Sequence, residues 1–281
     1  MLKSMTLEHK SENIVNHKKK QIMIQKLSGI LLLAAIFCTT TFVNAQESTK
    51  LTIRALAKDA KFIGTGIGGA YIIVKNHDTQ EVLAKGYTTG SSGNTELVVT
   101  KPKVRHERIT DDKTAKFVAV LNISEPLLVD IEAIAPFNRK SASIKATTQV
   151  WAIPNKDVLG DGIILEIPGF VVDILSPTTH EVFSFDAKQS REVTLRVNTV
   201  MMCGCVIQNE GVWNASNYDV VAIVRKEGVE ISKVKLVKTN EDNIFEVKIP
   251  VKESGNYELI VTAFDNKSYN TGVDKINFVV R

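Results

Sequence analysis

Alternation with a period of two residues runs through almost the whole of this chain, and it constrains the fold more than any other feature. Apolar and β-branched residues recur at every second position in short runs such as 51–58, 127–135 and 257–264, with clusters of Gly, Asn, Asp and Pro between them. A strand turns successive side chains to opposite faces, so these runs predict half-buried sheet, whereas a helix needs an apolar spacing of three to four. No stretch of ten or more residues reads as an amphipathic helix.

Eight candidate strands fall between residues 51 and 167, at 51–58, 70–76, 81–88, 95–100, 115–123, 127–135, 144–152 and 162–167. Seven more follow, at 170–175, 192–199, 218–225, 230–238, 244–249, 257–264 and 275–280. Short strands at this spacing, with turns and no helices between them, predict an all-β chain of two antiparallel β-sandwich domains packed in tandem. The boundary is expected at Ile167-Pro168-Gly169, where two breakers follow a strand, giving sandwiches over 46–167 and 170–281. So short a linker predicts a fixed relative orientation.

Ahead of the sandwiches lies a leader. Lys18, Lys19, Lys20 and Lys26 precede an apolar run from Ile30 to Phe37, and Val43 and Ala45 supply small residues before a cleavage point. That is the layout of a secretory signal peptide, so residues 1–45 are expected to be a signal peptide with an N-terminal extension, and Met23 is an alternative start. The apolar run is shorter than a membrane span of about 20 residues, so no transmembrane anchor is expected in the mature chain. The formal net charge of +4 comes from 35 Lys and Arg against 31 Asp and Glu. Residues 1–45 hold six lysines and two glutamates, which leaves 29 basic and 29 acidic residues after cleavage. A neutral mature chain gives no basis for nucleic-acid binding. The expected location is the periplasm or the secreted medium.

The second half resembles bacterial immunoglobulin-like domains, through Gly255-Asn256-Tyr257-Glu258-Leu259-Ile260-Val261-Thr262-Ala263-Phe264-Asp265 and the last strand 275–280. The resemblance implies that the Tyr257 hydroxyl caps a sheet corner and that Tyr257, Leu259, Val261 and Ala263 share the core face. The first half resembles transthyretin-like (carboxypeptidase regulatory-like) domains through residues 69–76, the turn at His77-Asp78-Thr79-Gln80, residues 81–88 and the turn at 89–94. That likeness fades beyond Val99. Neither resemblance implies an activity.

The sharpest local motif is Val200-Met201-Met202-Cys203-Gly204-Cys205, which holds the only cysteines left once Cys38 departs with the leader. In an oxidising compartment Cys203 and Cys205 have three fates: a disulfide ring suited to thiol–disulfide exchange, a copper site with Met202 as thioether partner, or a structural role at a strand end. Asp157 and Asp161 flank Gly160 in a turn that calcium could use, although Asp-Gly is equally an ordinary tight turn. Gly64-Thr65-Gly66-Ile67-Gly68-Gly69 has phosphate-loop composition but leads into a strand, so a plain sheet connection is expected. The run Lys101, Lys103, Arg105, His106 and Arg108 reads as a solvated loop. Trp151 and Trp213 stand beside turn-rich segments and are candidates for stacking on sugar rings, with core packing as the alternative.

No nucleophile motif is present, and the three histidines beyond the leader, His77, His106 and His180, are scattered. Strand spacing does not reveal which carboxylates face each other, so a hydrolase site is not legible. The chain therefore reads as an exported, non-catalytic binding or accessory module of the bacterial cell envelope, contacting an envelope protein or glycan. The alternative is a copper-binding or thiol–disulfide exchange protein using Cys203 and Cys205.

Overall fold

In the computed structural model, residues 48–184 and 191–281 are described; the expected signal peptide lies outside them. Among the described residues, sixteen strands form four sheets. β1 (Ser48–Ala57), β4 (Phe117–Asn122) and β7 (Val158–Ile167) make one sheet in the order β4-β1-β7. β2 (Tyr71–Asn76), β3 (Val82–Tyr87), β5 (Leu127–Ala135) and β6 (Ile144–Ala152) make its partner, in the order β3-β2-β5-β6. The second sandwich pairs the sheet β13-β14-β10-β8 with β12-β11-β15-β16-β9. Here β8 is Phe170–Ser176, β9 Val182–Phe183, β10 Arg191–Met201, β11 Tyr218–Lys226, β12 Val229–Lys235, β13 Val237–Lys238, β14 Ile244–Val251, β15 Gly255–Asp265 and β16 Thr271–Val280.

This is the all-β double sandwich that the alternation predicts, with one modification. Two strand pairs, β1 with β7 and β9 with β16, run parallel. The second sandwich has the sheet arrangement of immunoglobulin-type domains. Tyr257, Leu259, Val261 and Ala263 are all buried, and the Tyr257 hydroxyl donates to the Glu253 carbonyl at 2.8 Å, closing the corner as the resemblance implies.

Two strand expectations are corrected. Residues 95–100 form a helical turn, Glu96–Thr100, instead of a strand. The Asn94 side chain accepts from the backbone N–H groups of Glu96 and Leu97, which starts the turn and overrides the β-propensity of Val98 and Val99. Residues 230–238 are not one strand. β12 pairs with β11 and β13 with β14, so the chain changes sheets at the buried Leu236.

β1 is buried on both faces. Leu51, Ile53, Ala55 and Ala57 enter the main core, while Leu56 joins Phe62, Val98 and Ala115 in a smaller cluster under the helical turn and its loop. The main core is contiguous across both sandwiches. Polar ties reinforce the junction. The buried Asn270 side chain accepts from the Gly169 N–H and donates to the Lys58 carbonyl, the Trp213 indole donates to the Asp59 carbonyl at 3.0 Å, and Arg139 pairs with Asp173.

Candidate functional site

Among the described residues, two places stand out as candidate sites, and the cysteine motif makes the first. β10 ends at Met201, and the Gly204 N–H folds back on the Met201 carbonyl at 2.7 Å. Gly204 has φ +78°, a conformation that L side chains rarely adopt, and this tight reversal closes a disulfide between Cys203 and Cys205. The ring lies where the sandwiches meet. Ile67 of the glycine-rich loop packs on Gly204, which gives that loop a packing role in line with its expected part as a connection. Beside the ring opens a cleft of about 470 Å³, lined by Cys203, Cys205, Gln208, Glu210, Trp213 and, from the first sandwich, Lys61. Both cysteines are nearly buried and line this cleft. Met202, the expected thioether partner, is fully buried with its methyl group turned toward Gly169.

The second place is the outer face of the sheet β3-β2-β5-β6. Val129, Ile131 and Ala133 of β5 point inward and are fully buried, which turns Asp130 and Glu132 outward. Register sets Gln149 of β6 opposite Asp130 and Thr147 opposite Glu132. Asp130 accepts from Gln149 Nε2 at 2.8 Å and Gln80 Nε2 at 3.1 Å, and His77 Nδ1 lies 3.0 Å from it. The hydrogen bond to His77, with those from Gln80 and Gln149, holds the Asp130 carboxyl below the usual carboxylate range. Glu132 is bracketed by Lys75 at 2.8 Å and Lys145 at 3.7 Å. A shallow cleft of about 400 Å³ runs over Asp130, Glu132, Thr147, Thr148 and Gln149.

The two tryptophans part company. Trp151 continues this outer face of β6, opposite Leu128, with 63% of its surface exposed. Trp213 is half-buried against the core at the disulfide cleft. His77, read from the sequence only as one of three scattered histidines, belongs to the network around Asp130.

The acidic turn has other work. Asp157 accepts from the Lys50 N–H at 2.8 Å, and Asp161 accepts from the Ile109 and Thr110 N–H groups and from the Thr110 hydroxyl. The carbonyls of Gly160 and Asp161, which a calcium ion would seek, receive the guanidinium of the buried Arg54 at 3.0 and 3.1 Å. Among the described residues, no group of three or more His, Cys, Asp or Glu is placed to hold a metal ion. The basic run is exposed, as expected of a solvated loop.

No family model matches the chain, and no curated protein matches its sequence. Among solved structures it is similar to the fibronectin(III)-like modules of Clostridium thermocellum CbhA, with 12% identity over 83% of this chain and 94% of that chain and a TM-score of 0.27. It is similar to the chicken interferon gamma receptor alpha chain at 12% identity, over 83% of this chain and 98% of that chain, with a TM-score of 0.27. An engineered protein matches at 18% identity over 43% of this chain with a TM-score of 0.28, and the chain spans 22% of its length. The sandwich topology stands on the strand pairing itself.

Proposed function

We propose that the chain is an exported, non-catalytic binding or accessory module of the bacterial cell envelope, and that it engages a glycan or protein through the outer face of its first sandwich. The observation that carries this reading is Trp151, a residue 63% exposed at one end of a face held in shape by the His77–Asp130–Gln149 network. A large aromatic ring left in water, beside side chains already fixed by their own hydrogen bonds, is surface prepared for a partner. The bacterial immunoglobulin-like and transthyretin-like resemblances support the same reading, as do the basic-apolar leader and the neutral mature charge. Retention of the purified mature protein on isolated cell envelopes tests it. Wild type is expected to sediment with the envelopes, and Trp151→Ala to stay in solution. Equal behaviour of the two proteins removes the assignment.

A second reading has its own observation. The Cys203–Cys205 disulfide lines the cleft shared with Trp213 and Lys61, a recess in which a thiol partner could meet it. Thiol–disulfide exchange is then the reaction, and copper binding applies to the reduced pair. Copper titration of reduced, anaerobic protein against the Cys203→Ser/Cys205→Ser variant decides the copper form; equal stoichiometry removes it.

A further inference from the structure

The outer face of β3-β2-β5-β6 has an aromatic platform at each end. At the far end from Trp151, Tyr71, Tyr87 and Phe137 form a cluster with ring centroids 4.7 to 5.4 Å apart, and Tyr87 and Phe137 are 43% and 41% exposed. Register fixes the layout. Tyr87 pairs with Tyr71, Tyr71 with Ile134 and Ile134 with Lys145, while Trp151 pairs with Leu128. Ile134 lies six positions along β5 from Leu128, so the platforms stand about 20 Å apart along the strands. The polar strip of Asp130, Glu132, Thr147 and Gln149 lies between them.

The chemistry of that strip selects the ligand class. Its charges nearly balance: Glu132 lies between Lys75 and Lys145, Asp130 is held in place by His77, Gln80 and Gln149, and Lys85, in register with Ile73 and Glu132, adds one further cation. A polyanion would need a row of cations free of carboxylate partners, and an apolar peptide would need a continuous apolar groove. The strip offers neither. It offers planar amide and carboxylate groups in fixed orientations, suited to the paired hydroxyls of a sugar ring. The negative faces of the end rings attract the positive C–H faces of sugars.

We propose that this face binds an uncharged, extended oligosaccharide that runs diagonally from Trp151 to the Tyr87–Phe137 platform, with one sugar ring stacked at each end. The proposal rests on the binding-module reading and names its ligand. Neutral tetrasaccharides to hexasaccharides of glucose, xylose, mannose and N-acetylglucosamine, titrated by calorimetry against the mature protein, test it, with polygalacturonate and an apolar peptide as comparison ligands. One neutral series is expected to bind and to tighten with chain length until both platforms are spanned. Trp151→Ala and Tyr87→Ala are each expected to weaken binding roughly tenfold. Trp151→Tyr restores most of it, and Tyr269→Ala, which removes an exposed aromatic of the second sandwich, leaves it unchanged. Binding of polygalacturonate or the peptide alone overturns the proposal, as does neutral binding that ignores both aromatic variants. If no sugar binds while envelopes still retain the protein through Trp151, the ligand class falls and the module reading stands. Failure of both assays removes both.

Discussion

Gly204, at the apex of the Cys203–Cys205 ring, is the point on which Ile67 of the first sandwich rests. A β-carbon built on Gly204 would collide with the Ile67 side chain, and φ of +78° penalises any L residue there. The disulfide motif and the glycine-rich loop, separated by more than a hundred residues, are therefore two halves of one joint.

Gly204→Ala is expected to destabilise the protein by about 2–4 kcal/mol in urea denaturation, through combined backbone strain and overpacking. In the background of Ile67→Ala, the same substitution should cost less, because only the backbone penalty remains. Additive effects in the double-mutant cycle would show that the two residues do not share a contact.

The Tyr257 corner carries a single hydroxyl bond to the Glu253 carbonyl at 2.8 Å, inside a stacked pair with Phe278. Tyr257→Phe keeps the stacking and removes the bond, so the expected loss is about 1–2 kcal/mol, with the strand pairing unchanged. A change in far-UV circular dichroism would mean that the hydroxyl holds more than the corner.

Where alternation governs, much could be read directly: period two puts Tyr257, Leu259, Val261 and Ala263 on one face, and the immunoglobulin-like resemblance implied that this face is the buried one, as it is. It failed where a local cap or a change of sheet decides. The residues around Val98 carry a strand-like composition, yet the Asn94 side chain captures two N–H groups and winds them into a turn. Leu236 looks like mid-strand and is a crossing point. Cys203 and Cys205 were legible as a pair because they are nearly adjacent. The face around Asp130 was not, because His77, Asp130 and Gln149 meet only once the register of β2, β5 and β6 is known. Arg54 did leave a trace, a lone charge within the apolar run of β1.

That arginine donates to four backbone carbonyls, those of Thr114, Ala115, Gly160 and Asp161, and its guanidinium lies 5.9 Å from the Phe62 ring centre. Arg54→Ala leaves these acceptors without a donor in a nearly dry site. The expected destabilisation exceeds about 3 kcal/mol by chemical denaturation. Arg54→Lys is expected to recover only part of it, since one ammonium cannot span all four carbonyls. Full recovery would reduce the requirement to charge alone.

Asp130 gives the outer face an acid limit. Its carboxyl is held below the usual range by His77 first, then by Gln80 and Gln149, so its folded pKa is depressed. The contribution of such a group is complete above the unfolded value of about 3.9 and is lost as pH falls through the lower folded value. Melting temperature followed from about pH 5 to pH 2 is expected to fall less steeply in Asp130→Asn than in wild type. Parallel curves would place the acid sensitivity elsewhere.

The Cys203–Cys205 ring closes across a single intervening residue. Cross-linking so short a loop removes little freedom from the unfolded chain, about 1.5 kcal/mol in the loop-entropy account. Reduction should therefore lower the melting temperature by only a few degrees and leave the sandwiches folded, because Asn270, Trp213 and the contiguous core also tie them together. Counting thiols in the native protein before and after a mild reductant, alongside the melting curve, checks this. A ring that opens while the fold persists leaves two thiols at the mouth of the Trp213 cleft, available for exchange or a soft metal. Global unfolding on reduction would instead make the ring a structural lock, and the second functional reading would fail with it.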